Sequence, residues 1–432
     1  GTLHNACLTS KRLGRLAQTV LYYRLEGYPC DVIKTLSKSP HLCDMVHELD
    51  FPSWTTSYLY DCRPELQESF ITASSRLGLP PALTESISAR LSSRITLGNV
   101  EMHVDAVLAF WLALLPNLRS LAIGSFTDMR MVPAVIRHYL ETDPTRFSLL
   151  RNVRLQPVNS EMVPSAAPGA IFLELPALEE ASFTEVAWCE GGDSLDDVLL
   201  PATACQRLKT LTTEGFFWIQ PKGLENLIST CNNLRSLTLE FNTMGWDMPI
   251  FTDNPFDFAI GDLLRANCQS LEDLTISITV SERRYGRRFE RKWFAEQKWM
   301  ATNLGSLQSL ANLKQFTLGL DFKDLCGSKV EGNDFETPEL DFVNMLPTST
   351  NQFTVKELGL TDLDHLADSF CKLAESDKLS KLHHAAYIAN MNLPRDVSNT
   401  GWTVATGRQD EDWRYTDMIN EARKREIHPR TS

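Results

Sequence analysis

The sequence predicts an α/β solenoid in which helix–turn–strand units stack side by side and share one apolar seam. Three observations predict it. First, the stretch CNNLRSLTLEF at 231–241 is restated along the chain as LPNLRSLAI at 115–123, LPALEEASF at 175–183, CQRLKTLTT at 205–213, CQSLEDLTI at 268–276 and LANLKQFTL at 310–318. Second, the end of each copy alternates apolar and polar residues, as in Leu237-Thr238-Leu239, which is the period of a strand with one buried face. Third, a helical stripe precedes the strand. Leu224, Leu227, Ile228 and Cys231 recur at i, i+3, i+4 and i+7 before one copy, and Val104, Val107, Leu108, Trp111, Leu112 and Leu115 before another. One such unit cannot cover its own stripe, and stacking covers all of them.

The elements follow in chain order. Residues 1–30 carry helical patterns, with Leu13, Leu16, Ala17 and Val20 on one face and Lys11, Arg12 and Arg15 off it. Residues 31–90 read as a helical linker and N-terminal cap, punctuated by Pro64 and the Pro80-Pro81 break. The repeats occupy 91–393, with weaker copies LLRNVRL at 149–155, VKELGL at 355–360 and KLSKLHH at 378–384. The copies are unequal in length, so the longer ones carry insertions, including MGWDMPIFTDNPFDF at 244–258 and GSKVEGNDFETPELDF at 327–342. Residues 394–432 read as a C-terminal cap with a polar, frayed tail.

The shared pattern L-x-x-L-x-L resembles that of the leucine-rich repeat family. That resemblance implies a horseshoe, with parallel strands on the concave face and helices on the convex face. Residues between the leucines then point into the concavity in three columns. The first runs Ser120, Asn152, Glu180, Thr210, Ser236, Asp273, Gln315 and Glu357; the middle one Ala122, Arg154, Ser182, Thr212, Thr238, Thr275, Thr317 and Gly359; the third Gly124, Gln156, Thr184, Glu214, Glu240, Ser277, Gly319 and Thr361. Glu180, Thr212, Glu214, Thr238, Glu240, Asp273 and Thr275 are the candidate partner-binding residues of this face. Threonine also suits a strand surface with no ligand at all.

The segment CLTSKRLGRLAQTVLYYR at 7–24 resembles the second half of an F-box, as found in fungal F-box/leucine-rich repeat proteins. The first half, a Leu-Pro followed by an Ile-rich helix, has no counterpart here. The resemblance implies a substrate-recognition subunit of an SCF-type (cullin) ubiquitin ligase, with a protein substrate on the repeats and the ligase adaptor on the F-box. Leu8, Lys11, Leu13 and Leu16 stand where adaptor contacts would remain. The alternative is a leucine-rich repeat scaffold without a ubiquitin role, its N-terminal helices serving only as a cap.

One segment departs from the repeat: SERRYGRRFERKWFAEQKWM at 281–300. Arg283, Arg284, Arg287, Arg288 and Arg291 form a candidate anion or partner patch there, or the wet face of an outer helix that packs Phe289 and Trp293 inward. The formal charge of −13 argues against nucleic acid as the general partner. No apolar run approaches the roughly 18 residues of a membrane span. No secretory signal or Asn-x-Ser/Thr site occurs, so the expected location is cytoplasmic or nuclear.

The chain has 10 cysteines without Cys-x-x-Cys spacing. Cys205, Cys231 and Cys268 share a slot that other copies fill with Leu115, Leu175 and Leu310, so the slot is apolar. No G-x-S-x-G, Walker loop or H-E-x-x-H pattern is present, and His383-His384 fall on opposite sides of a strand. A binding protein is expected, not an enzyme, with no metal and no cofactor.

Overall fold

In the copy at 115–123, Leu115, Leu118, Leu121 and Ile123 are fully buried, and so are Cys231, Leu234, Leu237 and Leu239 in the copy at 231–239. Four burial points in nine residues fix a turn and then a short strand. In a computed structural model of the chain this unit recurs as a rung. The structure describes residues 11–26, 30–51, 56–94, 100–124, 129–156, 167–184, 200–216, 221–244, 260–281, 304–320, 342–357, 372–373, 376–389 and 404–406. They form an α/β arrangement of parallel strands and helices, divided into two compact units, 1–233 and 234–432.

In the first unit the strands are β1 (Arg24–Glu26), β2 (Glu48–Phe51), β3 (Ser120–Ile123), β4 (Asn152–Leu155), β5 (Glu180–Thr184) and β6 (Thr210–Phe216). They pair in parallel and in chain order. One buried row runs Leu25, Leu49, Leu121, Val153, Ala181 and Leu211, and the next runs Phe51, Ile123, Leu155, Phe183 and Thr213. In the second unit β7 (Ser236–Met244), β8 (Asp273–Ser281), β9 (Gln315–Leu320), β10 (Gln352–Glu357), β11 (His384–Ala389) and β12 (Val404–Thr406) pair the same way. Leu237, Leu274, Phe316 and Phe353 share a buried row there, with the Phe316 and Phe353 rings stacked at 5.6 Å.

Parallel strands need long crossovers, and helices lie on most of those described, with one more helix before β1 and one after β6. In the first unit these are α1 (Lys11–Tyr23), α2 (Cys30–Lys38), α3 (Pro40–Cys43), α4 (Thr56–Leu77), α5 (Pro81–Ser92), α6 (Val100–Leu114), α7 (Met131–Thr142), α8 (Ala167–Ala170) and α9 (Pro221–Thr230); in the second, α10 (Ile260–Asn267) and α11 (Phe342–Met345). The expected stripe of α9 holds, with Leu224, Leu227 and Ile228 buried, and α10 buries Ile260, Leu263 and Leu264 at the same spacing. Helix α6 goes further, with every residue from Val104 to Leu114 buried, because α4, α5 and α7 all pack against it.

Three backbone devices repeat. The carbonyl at the Leu/Cys slot accepts the amide three residues on, as Cys43 does from Val46, Phe147 from Leu150, Cys268 from Leu271 and Leu310 from Leu313. Two consecutive amides then converge on one carbonyl of the preceding rung. Arg119 and Ser120 donate to His47, Arg151 and Asn152 to Arg119, Glu179 and Glu180 to Arg151, and Lys209 and Thr210 to Glu179. In the second unit the chain of acceptors is Arg235, Glu272, Lys314 and Asn351. Third, an asparagine side chain before the buried leucine donates backward to a main-chain carbonyl: Asn117 to Asp44, Asn233 to Gln206 and Asn312 to Gln269.

Two expectations need correction and a third gains detail. The stretch 31–90, read as helical, also contains strand β2, and β1 precedes it; the rung at 43–51 uses Cys43, Val46, Leu49 and Phe51, where Val and Phe replace leucines. The copy read as VKELGL at 355–360 is displaced: the strand is Gln352–Glu357, so Gln352, Thr354 and Lys356 hold the places expected for Glu357, Gly359 and Thr361. The cause is Thr350, which occupies the leucine position of that rung at 0% exposure. Within 394–432, read as cap and frayed tail, Val404–Thr406 pair with Tyr387–Ala389, and the other residues of that stretch lie outside those described.

Two buried polar groups test the packing. Asp105 of α6 receives the amides of Arg130, Met131 and Val132 at 2.8, 2.7 and 2.9 Å, capping α7, whose N-cap residue Arg130 makes no side-chain cap of its own. A carboxylate there satisfies orphan amides and complements the helix dipole. Asp105→Ala is expected to lose about 3 kcal/mol and Asp105→Asn about half of that, measured as urea unfolding. Thr350 Oγ1 is buried with no hydrogen-bond partner among the described residues. Thr350→Val keeps the volume and removes the stranded hydroxyl, so it is expected to raise stability by about 1 kcal/mol in the same measurement.

Candidate binding face

Side chains alternate along a strand, so the residues between the buried rows all emerge on the other face of the sheet. Parallel register then aligns them. In the first unit one column runs Arg24, Glu48, Ser120, Asn152, Glu180 and Thr210, and the next runs Glu26, Asp50, Ala122, Arg154, Ser182 and Thr212. Thr184 lies beside Glu214. This face borders a groove of about 570 Å³. Of the residues expected to bind a partner, Glu180, Thr212 and Glu214 line it together.

The groove has two ends of different electrostatic character. At the β1–β2 end, Arg24 Nε lies 2.5 Å from Glu26 and 3.8 Å from Glu48, and its Nη2 lies 3.5 Å from Asp50. One guanidinium thus meets three carboxylates. All four side chains are between about a third and two thirds exposed, so each pair contributes only about 0–1 kcal/mol. At the other end Glu180 and Glu214 are exposed. With its amide nitrogen turned toward them, Asn152 reaches the Arg151 carbonyl at 3.1 Å and Glu180 Oε2 at 3.2 Å. Arg154 stands between the two ends, exposed, with no carboxylate within salt-bridge distance among the described residues.

In the second unit, Thr238, Thr275, Thr317 and Thr354 fall in one unbroken column, and Ser236, Asp273, Gln315 and Gln352 in the one beside it. Glu240 pairs with Ser277 and then Gly319. A Cβ at Gly319 would lie 2.5 Å from the Cβ of Ser277, so neighbouring strands approach too closely there for any side chain. Thr238, Glu240, Asp273 and Thr275 are half-buried. Burial, and then the neighbouring Glu272, push the Asp273 carboxyl above its ordinary value, while Lys314 pulls the other way.

One column was overlooked in the sequence. Immediately before each strand, Arg151, Glu179 and Lys209 stand on consecutive rungs, and Arg235, Glu272 and Lys314 repeat the order in the second unit. Glu179 lies 3.7 Å from Arg151 and 2.6 Å from Lys209; Glu272 lies 3.9 Å from Arg235 and 2.5 Å from Lys314. The lysine hydrogen bonds hold both carboxyls below their ordinary values. Reading out this fourth position in the repeat would have found them. The Arg24 cluster had no such signal, because only the register of β1 on β2 brings residues 24, 48 and 50 together.

Helix α1 exposes Leu13, Leu16, Val20 and Leu21 at 49%, 59%, 62% and 45%. Its small residues Gly14 and Ala17 are buried instead. Its end is tied down by the His47 amide, which donates to the Tyr23 carbonyl at 2.9 Å, and by Leu25 in the sheet. Of the expected adaptor contacts, Leu13 and Leu16 are therefore exposed, Lys11 opens the helix, and Leu8 lies outside the described residues. Arg283, Arg284, Arg287, Arg288 and Arg291 also lie outside them.

The cysteine slot is apolar: Cys43, Cys205, Cys231 and Cys268 are buried free thiols, and burial pushes Cys43 to about 11 and Cys268 to about 12. No helix among the described residues is long and apolar enough to cross a membrane. In comparison with known proteins, the chain matches no family model and no curated protein.

The raised Asp273 carboxyl sets a pH dependence with a definite sign. Its acid form is favoured in the folded state, so its contribution is most favourable at low pH and is lost as pH rises from the unfolded value through the folded one. Asp273→Asn is expected to raise the urea midpoint at pH 7 and to leave it nearly unchanged at pH 3, where both states carry the proton.

Proposed function

We propose that this chain is a protein-recognition solenoid of the F-box/leucine-rich repeat kind, acting as the substrate-recognition subunit of an SCF-type ubiquitin ligase. The observation that carries the reading is the exposed apolar stripe of Leu13, Leu16 and Val20 on a helix whose C-terminal end is locked to the first strand of a parallel sheet. A stripe of this kind on a single amphipathic helix suits a partner's apolar groove. The F-box wording of residues 7–24 gives that partner as the ligase adaptor.

The rest of the arrangement is consistent with two separate tasks. Parallel strands joined in order by helices are what a horseshoe of leucine-rich repeats requires, and solenoids of that kind bind partners on an extended inner face. The polar groove bordered by Glu180, Thr212 and Glu214 would be the substrate side. Nothing in this division needs a catalytic group: the receptor holds a substrate while other subunits perform transfer. Cytoplasm or nucleus, where such ligases act, is the corresponding location.

Co-purification of the full-length protein with a purified ligase adaptor tests this. Adaptor should be retained by the wild type and reduced at least about tenfold by Leu13→Asp with Leu16→Asp, since two exposed contacts of this size are each worth about 1–2 kcal/mol. Both positions are exposed, so the thermal midpoint should not move. Failure of the wild type to retain adaptor would leave the scaffold alternative, in which α1 serves only as a cap.

A further inference from the structure

The charges lining the first unit's groove do not cancel, and their order is informative. Arg24 and Arg154 stand against Glu48, Asp50, Glu180 and Glu214, two cations to four carboxylates. Arg24 is already engaged by Asp50, Glu48 and Glu26. Arg154 has no such carboxylate among the described residues, while Glu180 receives only an amide and Glu214 no cation. The register places Arg154 on β4, two rungs from Asp50 on β2 and two rungs from Glu214 on β6. Adjacent strands are about 4.8 Å apart, so each step of two rungs is about 10 Å. An extended segment crossing the strands advances about 3.3 Å per residue and covers that distance in about three residues.

We infer that this groove takes an extended protein segment of the form basic-x-x-acidic-x-x-basic, with its central carboxylate on Arg154 and its flanking cations on Glu48/Asp50 at one end and Glu180/Glu214 at the other. The small floor residues Ser120, Ala122 and Ser182 leave the cleft open for it. The inference rests on the reading of the sheet face as the substrate side and adds the chemistry of the substrate. A uniformly basic segment leaves Arg154 opposed to a like charge, and a uniformly acidic one meets four carboxylates. Alternating sign pairs Arg154, Glu180 and Glu214 and adds a second cation where Arg24 alone faces Glu26, Glu48 and Asp50, and in an open groove such pairing decides selectivity more than strength.

The test uses the full chain and fluorescein-labelled peptides in low salt. Gly-Lys-Ser-Ser-Glu-Ser-Ser-Lys-Gly is expected to bind at least about tenfold tighter than its mirror Gly-Glu-Ser-Ser-Lys-Ser-Ser-Glu-Gly, with the difference shrinking as salt screens it. Arg154→Glu should transfer the preference to Gly-Lys-Ser-Ser-Lys-Ser-Ser-Lys-Gly, and Glu180→Lys with Glu214→Lys should abolish the preference for the first peptide. These side chains are exposed, so unchanged melting should accompany the altered binding. Equal binding of the first two peptides, no binding of either, or an unaltered preference in Arg154→Glu would overturn the inference. Adaptor capture without peptide preference removes this inference alone; peptide preference without adaptor capture removes the ligase reading alone.

Discussion

Two neighbouring amides that share one carbonyl of the preceding rung set the geometry on which everything else in each unit depends. The arrangement recurs at every described junction from β2 to β6 and from β7 to β11. It fixes register before the strand begins. A slip of one residue would send each buried leucine to the polar face and each polar residue to the core, and the paired amides forbid that slip. The turn before them, closed by the slot carbonyl onto the amide three residues later, brings the chain into position. Neither device involves a particular side chain, which explains why Cys, Leu and Phe can all occupy the slot.

Because the backbone carries the register, side chains on the open face are free to vary. Small residues, hydroxyls, an arginine and carboxylates occupy equivalent places on successive strands without disturbing the pairing. The exception is informative. At Gly319 the strands come too close for a Cβ, so that place is fixed by packing and is unavailable to recognition. Variation next to an invariant hydrogen-bond pattern is the physical condition for a recognition surface: chemistry changes from rung to rung while position does not. The groove of the first unit fits that condition more fully than the threonine column of the second, which a strand surface would favour for its own sake.

The parts of the fold that were legible in the sequence are those where leucine performs the burial. Leu118, Leu121, Leu234 and Leu237 announce their rungs, and Cys231 and Cys268 are recognisable as hydrophobes by the company they keep. Rungs that bury something else were missed. Val46 and Phe51 serve the second strand, Leu25 alone serves the first, and Thr350 hides the tenth by standing where a leucine is expected. The columns of the face were legible wherever the rung was, and the displaced tenth rung accordingly gave the wrong members. The arginine cluster at β1–β2 was invisible for a deeper reason. Its members are local in space only after parallel pairing, and nothing in the spacing of residues 24, 48 and 50 signals that pairing.

That cluster also connects the two surfaces the chain presents. Arg24 directly follows the helix that exposes Leu13, Leu16 and Val20, and its backbone starts the sheet whose open face holds Glu48 and Asp50. Its ion pairs are exposed and individually weak, so they cannot be what holds α1 in place; Leu25 in the buried row and the His47–Tyr23 hydrogen bond do that. What the guanidinium does is occupy carboxylates that would otherwise repel one another across adjacent strands. A ligand cation arriving at Glu48 and Asp50 must compete with Arg24 or share with it. The β5–β6 end, where Glu180 and Glu214 have no cation within salt-bridge distance among the described residues, is therefore the end at which a basic side chain of the proposed segment gains most.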